Sequence, residues 1–304
     1  MAHNSKYKQL VFTVKDRCRV CFTCVRECPV KAIKIVNGQA EVISERCIGC
    51  GNCVRVCSQE AKVYLKHTDE VLQLLETGKP VAACLAPSFA AEFTEPDDHR
   101  SLVGMVKALG FKYVTEVAFG ADMVARAYKD SYENHNGKGV ISSDCPAIVY
   151  YVEHFHPELV DQLAPFVSPM VATSRFLKKT HGEDLEVVFI GPCIAKKSES
   201  DDIHYALTFC ELRELFAHKG ITPENIQQAD FDPPHAAKGA VFPISHGLLQ
   251  NMEVASDLTK GDVIVAEGRR NFMDAINEFG KGTLPVKHLE LLCCEGCIMG
   301  PGMS

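Results

Sequence analysis

Residues 18–29 read CRVCFTCVRECP, and residues 47–58 read CIGCGNCVRVCS. Both runs space their cysteines as C-x2-C-x2-C-x3-C, and the segments that follow them, 30–35 and 59–64, also resemble each other. A duplicated unit of this kind predicts a module with approximate twofold symmetry. Proline follows the first run but Ser58 follows the second, which weakens the second turn without removing a cysteine.

This spacing is typical of proteins that hold two 4Fe–4S clusters. Three cysteines of one run bind one cluster, and the fourth cysteine of that run binds the other cluster. The predicted ligand sets are therefore Cys18, Cys21, Cys24 and Cys57 for one cluster, and Cys47, Cys50, Cys53 and Cys28 for the other. Structural zinc is the alternative, because C-x2-C pairs also bind zinc, but eight cysteines in this doubled order favour clusters.

The composition limits the class of protein. The chain has 304 residues, 15 of them cysteine, and a net charge of −7. With no long basic run, nucleic acid is not an expected partner. No apolar stretch approaches the roughly 20 residues that cross a bilayer, and the polar first ten residues lack a signal-peptide segment. We therefore expect a cytoplasmic protein with no membrane partner, whose many thiols serve soft metal sites.

Short apolar runs alternate with helical patterns after about residue 67. We predict two domains, a cluster-binding module at 1–67 and a larger domain at 68–304, joined by a helix that Thr68 and Asp69 cap. Predicted strands lie at 81–85, 113–118, 139–142, 186–190 and 287–292. Predicted helices lie at 101–109, 122–133, 146–155, 169–180, 211–218 and 272–279. This alternation predicts an α/β domain with largely parallel strands. Residues 229–247 are predicted to form a long loop across its surface.

Three of the predicted strands end in cysteine. The thiols at these ends are Cys145, Cys193, Cys293, Cys294 and Cys297. In open α/β sheets, ligands bind beyond the carboxyl ends of the strands, so we expect these thiols to converge on a third 4Fe–4S site. Cys84, inside a strand, and Cys210, at a helix start, lack this setting and are predicted to pack in the core.

The segments around these cysteines carry a family resemblance. SSDCP at 142–146, PCIAKKSE at 192–199 and CCEGCIMGP at 293–301 resemble the three signature motifs of iron–iron (FeFe) hydrogenases. Segments 86–88, 119–122 and 168–170 resemble intervening family segments, so the resemblance covers essentially the whole chain. It implies an α+β ferredoxin-like module followed by an α/β hydrogenase catalytic domain.

The resemblance implies an H-cluster, in which a 4Fe–4S cluster shares one thiolate with a diiron subsite that bears CO, cyanide and azadithiolate. By this resemblance Cys145 and Cys193 hold the 4Fe–4S part, and Cys297 supplies the shared thiolate. The fourth ligand is Cys293 if the common x3 spacing applies, and Cys294 if the closer form applies.

The resemblance also assigns polar residues to this site. Lys196 matches a family lysine that contacts cyanide, where a buried ammonium gives a charge-assisted hydrogen bond. Asp144 occupies the place of a proton-relaying cysteine, and a carboxylate also exchanges protons; alternatively, it caps the helix that follows. Glu199 and Ser168 match other relay positions, whereas segment 124–128 lacks the glutamates that the family carries there.

Gly191 and the pair Leu291 and Leu292 replace family residues near the diiron subsite, so we expect different packing there. These departures resemble the sensory branches of the family. They imply slow, reversible H2 oxidation and proton reduction, used to sense H2. The implied partners are an external redox protein such as a ferredoxin, hydrogenase maturases and a signalling partner. The alternative is a non-catalytic iron–sulfur protein of the same superfamily, acting in electron transfer or redox sensing.

Overall fold

The computed structural model describes residues 9–94, 98–134, 137, 139–254, 261–284 and 286–304. The strands are β1 Val11–Thr13, β2 Ile33–Val36, β3 Gln39–Val42, β4 Lys62–Tyr64, β5 Val81–Leu85, β6 Tyr113–Glu116, β7 Val140–Ile141, β8 Glu186–Gly191, β9 Tyr205–Thr208, β10 Val263–Glu267 and β11 His288–Leu292. The helices are α1 Thr23–Glu27, α2 Asn52–Arg55, α3 Thr68–Glu76, α4 Phe89–Glu92, α5 His99–Ala108, α6 Val117–Glu133, α7 Pro146–Phe155, α8 Pro169–His181, α9 Phe209–Lys219, α10 Gly247–Met252 and α11 Asn271–Gly280.

The N-terminal module repeats one unit twice. Before each cysteine run a short 3-10 turn closes, with the Cys18 N–H donating to Lys15 O and the Cys47 N–H donating to Ser44 O, each at 3.1 Å. Each run then enters a short helix, α1 or α2, and a strand follows. Strand β1 pairs antiparallel with β4, and β2 pairs antiparallel with β3. The fold thus repeats the unit that the sequence duplicates.

The second cysteine run packs closely against the larger domain. Two residues in each run have a left-handed backbone: Val20, Phe22, Gly49 and Gly51. A Cβ on Gly51 would lie 2.5 Å from Pro301 Cγ and 2.7 Å from Ile194 Cδ1, so glycine is required there by contact as well as by conformation. In the first run Phe22 is 48% exposed, whereas Cys28 is 8% exposed.

The larger domain is built on two parallel sheets. Four strands lie in the order β6-β5-β8-β9, and three lie in the order β10-β11-β7. Strand β5 is buried along its whole length, as expected for a parallel strand covered on both faces. The predicted class, a ferredoxin-like α+β module followed by an α/β domain with parallel strands, is confirmed.

Some element boundaries differ from the sequence predictions. The strand predicted at 113–118 ends at Glu116, and α6 begins there instead of at residue 122. Helices α6 and α8 cross closely at Gly120, where a Cβ would meet Pro169 O at 2.2 Å, so the apolar residues 117–121 pack as a helix. The strand predicted at 139–142 has two residues, and β9 and β10 were not predicted. Residues 229–247 include a 3-10 turn at Gly239–Val241 and the first residue of α10.

The predicted helix cap of α3 is also wrong. The helix begins at Thr68, but His67 precedes it as the capping residue, and no side chain caps its N-terminus. The His67 N–H instead donates to Glu211, which lies on α9 of the larger domain. Tertiary contact therefore does at this helix what a local cap was expected to do.

A buried ion pair lies where the two parts of the chain meet. Lys197 Nζ lies 2.8 Å from Glu211 Oε2, and neither side chain is exposed. Glu211 also accepts from the His67 N–H at 2.8 Å and from the Thr208 N–H at 2.7 Å. The Thr208 hydroxyl is 2.9 Å from the Tyr64 hydroxyl of β4. Both members of the pair belong to the larger domain, and the contacts of His67 and Tyr64 link them to the N-terminal module.

We predict that Glu211→Gln lowers the free energy of unfolding by about 3–5 kcal/mol, because it leaves the Lys197 ammonium buried without its counter-charge. Urea denaturation of the full chain measures this. Glu214→Gln is the matched control, since it breaks the ion pair with Lys66, in which both side chains are about half exposed. Its expected cost is below about 1 kcal/mol. Equal costs for the two variants would contradict the role given to the buried pair.

Candidate metal centres

The eight thiols of the N-terminal module surround two separate cavities. One cavity is lined by four of them, Cys18, Cys21, Cys24 and Cys57. A second cavity is lined by the other four, Cys28, Cys47, Cys50 and Cys53. The fourth cysteine of each run lies at the other run's cavity, so the structure brings together the two groups that the spacing predicts.

Each cavity combines four soft thiol donors with backbone N–H groups. Backbone amides point at the thiols in equivalent places, from Ala32 N to Cys28 Sγ at 3.2 Å and from Ala61 N to Cys57 Sγ at 3.3 Å. Such N–H donors stabilise cluster thiolates and tune the reduction potential.

A third group of thiols lies between the two sheets of the larger domain. Cys193 follows β8 of the four-stranded sheet, whereas Cys145 and Cys297 follow β7 and β11 of the three-stranded sheet. Burial, and after it the Cys145 thiol, raise the pKa of Cys193 to about 12. Burial and then these two thiols also raise the pKa of Cys297. Without metal these thiols are neutral, and a bound metal ion would deprotonate them.

Cys293 and Cys294 both border this third group, but they face different neighbours. Burial and then the other three thiols of the group raise the pKa of Cys294. Cys293 is 1% exposed, and its N–H donates to the Cys145 thiol. Its own thiol forms a hydrogen bond with Cys50, the bond that contributes most to lowering the pKa of Cys50 to about 7. Cys293 therefore connects the third group with the second cavity.

Lys196 is enclosed beside the third group, not on the surface. Its ammonium donates to Asp144 O at 3.1 Å and lies 2.7 Å from Glu199 Oε2. The Lys196 and Glu199 side chains are only 12% and 13% exposed. Burial lowers the pKa of Lys196, but the Glu199 carboxylate raises it further, so the net shift is upward. The residue thus presents a fixed positive charge at the site.

Asp144 does not cap the helix that follows it. Cys145 is the residue that precedes α7, and no side chain caps that helix. Asp144 Oδ1 is buried and has no hydrogen-bond partner among the described residues. Burial raises the pKa of Asp144 to about 7, although Lys196 and the Tyr128 hydroxyl both lower it. This carboxyl group therefore changes protonation near neutral pH.

The hydroxyl groups around Asp144 have distinct roles. The Ser143 N–H donates to the Tyr128 hydroxyl at 2.8 Å, and Ser143 Oγ donates to Phe166 O at 3.0 Å. These bonds hold Tyr128 against the Asp144 loop. Ser168 is 2% exposed, and its hydroxyl has no hydrogen-bond partner among the described residues.

Gly191 lies where the pocket has no room for a larger side chain. A Cβ at this position would lie 2.5 Å from Phe189 Cζ and 2.7 Å from Ala86 Cβ. The Phe189 ring therefore fills the space that a longer side chain at 191 would need. Any such side chain would displace Phe189.

The sequence did not single out a second buried carboxyl group, on β11. Glu290 is 3% exposed and accepts from the N–H groups of Leu248 and Leu249, at 3.4 and 3.2 Å, at the start of α10. Burial raises its pKa to about 7, and the charge of Asp144 adds to the rise. Alternation along β11 could have flagged an acid on a buried face, but it could not show what that acid contacts.

The two cysteines outside the metal groups differ from each other. Cys84 has no exposed surface, and its thiol is 3.4 Å from Thr115 Oγ1. Cys84 therefore packs in the core, as predicted. Cys210 is only partly buried, and its thiol donates to Met303 O at 3.2 Å. Its thiol therefore bonds to the C-terminal segment and does not pack in the core.

Two family descriptions match the chain. Residues 79–301 match the C-terminal domain of the iron only hydrogenase large subunit, and residues 10–58 match a 4Fe-4S dicluster domain. Among solved structures, apo FeFe-hydrogenase HydA1 from Chlamydomonas reinhardtii, in a variant form, has a TM-score of 0.64 at 18% identity. That likeness covers 79% of this chain and 85% of the other, and it concerns the fold.

The curated relatives include a hydrogenase, a nuclear prelamin A recognition factor and a cytosolic Fe-S cluster assembly factor. Iron hydrogenase 1 of Clostridium pasteurianum is 26% identical over 216 residues, which are 60% of this chain and 38% of the relative. The nuclear prelamin A recognition factor of Mus musculus is 25% identical over 284 residues, 72% of this chain and 61% of the relative. The cytosolic Fe-S cluster assembly factor NAR1 of Yarrowia lipolytica is 30% identical over 123 residues, 37% and 25%. The chain spans less than two thirds of each of these relatives.

No helix in the described ranges has both the length and the apolar character needed to span a membrane.

We predict that Glu290 makes stability depend on pH. Its pKa is about 7 in the folded protein against a reference value of 4.5, so the folded state holds an extra proton between these values. The unfolding free energy should therefore fall by roughly 1.4 kcal/mol per pH unit across that window, relative to Glu290→Gln, and level off above it. Paired urea titrations from pH 5 to 8 measure the difference. A difference that does not change with pH would refute the assignment.

Proposed function

Since this chain belongs to the family defined by the C-terminal domain of the iron-only hydrogenase large subunit, we propose that it exchanges electrons with H2 and protons. In this proposal the third thiol group holds an H-cluster, and the two N-terminal cavities hold 4Fe–4S clusters. The observation that carries the proposal is the enclosed thiol group of Cys145, Cys193 and Cys297 with the Lys196 ammonium and the Asp144 carboxyl group beside it.

The thiols supply the ligands. Cys145, Cys193 and Cys297 would hold the H-cluster, and Cys293 or Cys294 would complete the ligand set. The donor set fits, because four soft thiol donors in an enclosed site suit iron and sulfide better than hard cations. When bound, the H-cluster supplies the redox chemistry that forms and splits H2.

Lys196 is the anion-binding group of the site. Its ammonium is buried, held by Glu199 at 2.7 Å, and has donors left for an anionic ligand such as cyanide. The ion pair with Glu199 fixes the direction of the lysine side chain. Glu199 in turn keeps Lys196 charged, which an isolated buried lysine would not be.

Asp144 is the proton carrier of the proposal. Its unpartnered Oδ1 accepts a proton, and the buried carboxyl group binds and releases it near pH 7. A group whose pKa lies near the working pH is the most effective acid–base catalyst. Ser168 has a buried hydroxyl without a partner among the described residues and is a second candidate in this relay.

The electron route runs through the two N-terminal cavities. The Cys50 and Cys293 thiols are hydrogen-bonded, so the second cavity adjoins the third site. The first cavity lies toward solvent, because Cys21 is exposed and Phe22 is 48% exposed beside it. An external redox protein such as a ferredoxin would therefore dock near Cys21.

The departures around the site support slow turnover and a sensing role. Asp144 and the Phe189 ring beside Gly191 give this pocket its own acid and its own shape. A sensor must respond when H2 binds and does not need a high turnover rate. It would pass this signal to a signalling partner.

The second candidate function is a non-catalytic role in electron transfer or redox sensing with iron–sulfur clusters. The similarity to the prelamin A recognition factor, over 72% of this chain, and to NAR1 favours that candidate.

We predict that serine substitutions sort the eight N-terminal cysteines into two crossed sets. Cys57→Ser should remove the same electron paramagnetic resonance signal as Cys18→Ser, and Cys28→Ser the same signal as Cys50→Ser, each with loss of about four irons. Anaerobic reconstitution, iron analysis and spectra of the reduced protein measure this. If Cys57→Ser instead removed the same signal as Cys50→Ser, each run would bind its own cluster. That result would overturn the crossed assignment.

Infrared spectra of protein matured with hydrogenase maturases test the hydrogenase proposal. We expect CO and cyanide bands together with H2/D2 exchange. Asp144→Ala should lower the exchange rate by about a hundredfold, the usual contribution of an acid–base group. Asp161→Ala, at an exposed position, is the control and should leave the rate unchanged. Absence of both kinds of band would favour the non-catalytic candidate, and an unchanged rate in Asp144→Ala would remove the relay alone.

A further inference from the structure

Arg269 is partly buried, and two of its guanidinium nitrogens have no partner among the described residues. These atoms, Nε and Nη2, have almost no accessible surface. Enclosed guanidinium N–H groups without an acceptor are unfavourable, so such groups normally face an anion. The position of Arg269 shows where that anion belongs.

The turn that carries Arg269 is attached to the third thiol group. Arg269 follows β10 across Gly268, which has a positive φ of 86°. The Gly268 N–H donates to Cys294 O at 3.3 Å. The backbone before Arg269 is therefore fixed to the loop that carries Cys293 and Cys294.

The Arg269 side chain reaches toward the second cavity. It lines an open groove together with Cys28 and Asn52 of the N-terminal module. After the bond from Cys293 and the effect of burial, the charge of Arg269 is among the causes that shift the pKa of Cys50. The guanidinium group thus lies at the junction of the second cavity and the third site.

Arg269 differs from the other charged residues of this groove. The remaining cations and acids are exposed: Arg26, Lys31, Arg55, Arg270, Glu27, Asp274 and Glu295. Water screens such charges, so they act weakly on a buried group. Among the charged residues that line this groove, Arg269 is the one that is not exposed, and its Nε and Nη2 atoms are enclosed.

We propose that Arg269 compensates the negative charge of the cluster held by Cys28, Cys47, Cys50 and Cys53, and so raises the reduction potential of that cluster. The inference rests on the proposed function only in that these four thiols hold a 4Fe–4S cluster. Four thiolates leave such a cluster anionic, and reduction adds one more electron. A fixed cation in a low-dielectric setting stabilises the reduced form more than the oxidised form. Arg269 therefore favours electron entry at the step next to the third site.

Redox titration of the full chain, reconstituted anaerobically and followed by electron paramagnetic resonance, tests the proposal. In Arg269→Gln, the reduced-to-oxidised ratio of one cluster should fall at least tenfold at a fixed solution potential, a shift of about 59 mV for one electron. Arg269→Lys keeps the charge and should restore most of the ratio. Arg270→Gln, one position along and exposed, is the matched control and should match the wild type.

The possible outcomes separate this inference from the proposed function. An unshifted Arg269→Gln with full iron content overturns the inference, and so does an equal shift in Arg270→Gln. If Arg269→Gln loses only the cluster of Cys28 and Cys50 while Arg269→Lys keeps both clusters, the compensating cation is supported. If both variants lose both clusters, Arg269 has a folding role and the inference fails. A wild-type protein that binds no cluster refutes the proposed function instead.

Discussion

The ion pair between Lys197 and Glu211 has no exposed side-chain surface, and contacts of the N-terminal module are built around it. Glu211 accepts from the His67 N–H just before α3, and the Lys197 ammonium lies 5.7 Å from the centre of the Tyr64 ring. In a low-dielectric interior a charge without its partner is costly. Replacing either member alone would leave a buried charge beside these contacts.

The same short turn serves the ion pair and the third site. Lys196 and Lys197 are adjacent in the 3-10 turn Ala195–Ser198 that follows Cys193. Lys196 turns toward Asp144 and Glu199, whereas Lys197 turns away toward Glu211. A shift of Lys197 would therefore also move the Lys196 ammonium group, because the two residues share this turn.

Close backbone contact completes this coupling. Gly51 in the second cysteine run touches Pro301 and Ile194, which belong to two motifs of the third site. The bond between Cys50 and Cys293 lies in the same region. Close packing of this kind couples movements of the second cysteine run to those of the loops of the third thiol group. A hydrogenase and a cluster assembly factor are both among the relatives of this chain, so the family alone does not decide its activity.

The sequence by itself determined the features that depend on spacing along the chain. The C-x2-C-x2-C-x3-C runs predicted the two groups of four thiols, and strands that end in cysteine predicted the third group, because parallel strands present their carboxyl ends at one edge. The tertiary structure alone decided that Lys197 pairs with Glu211 and that Cys293 faces Cys50. It also decided that Asp144 does not cap its helix, that Glu290 is buried and that two guanidinium nitrogens of Arg269 are enclosed. These properties depend on contacts between elements far apart in the chain, and no local pattern records the low dielectric that such contacts create.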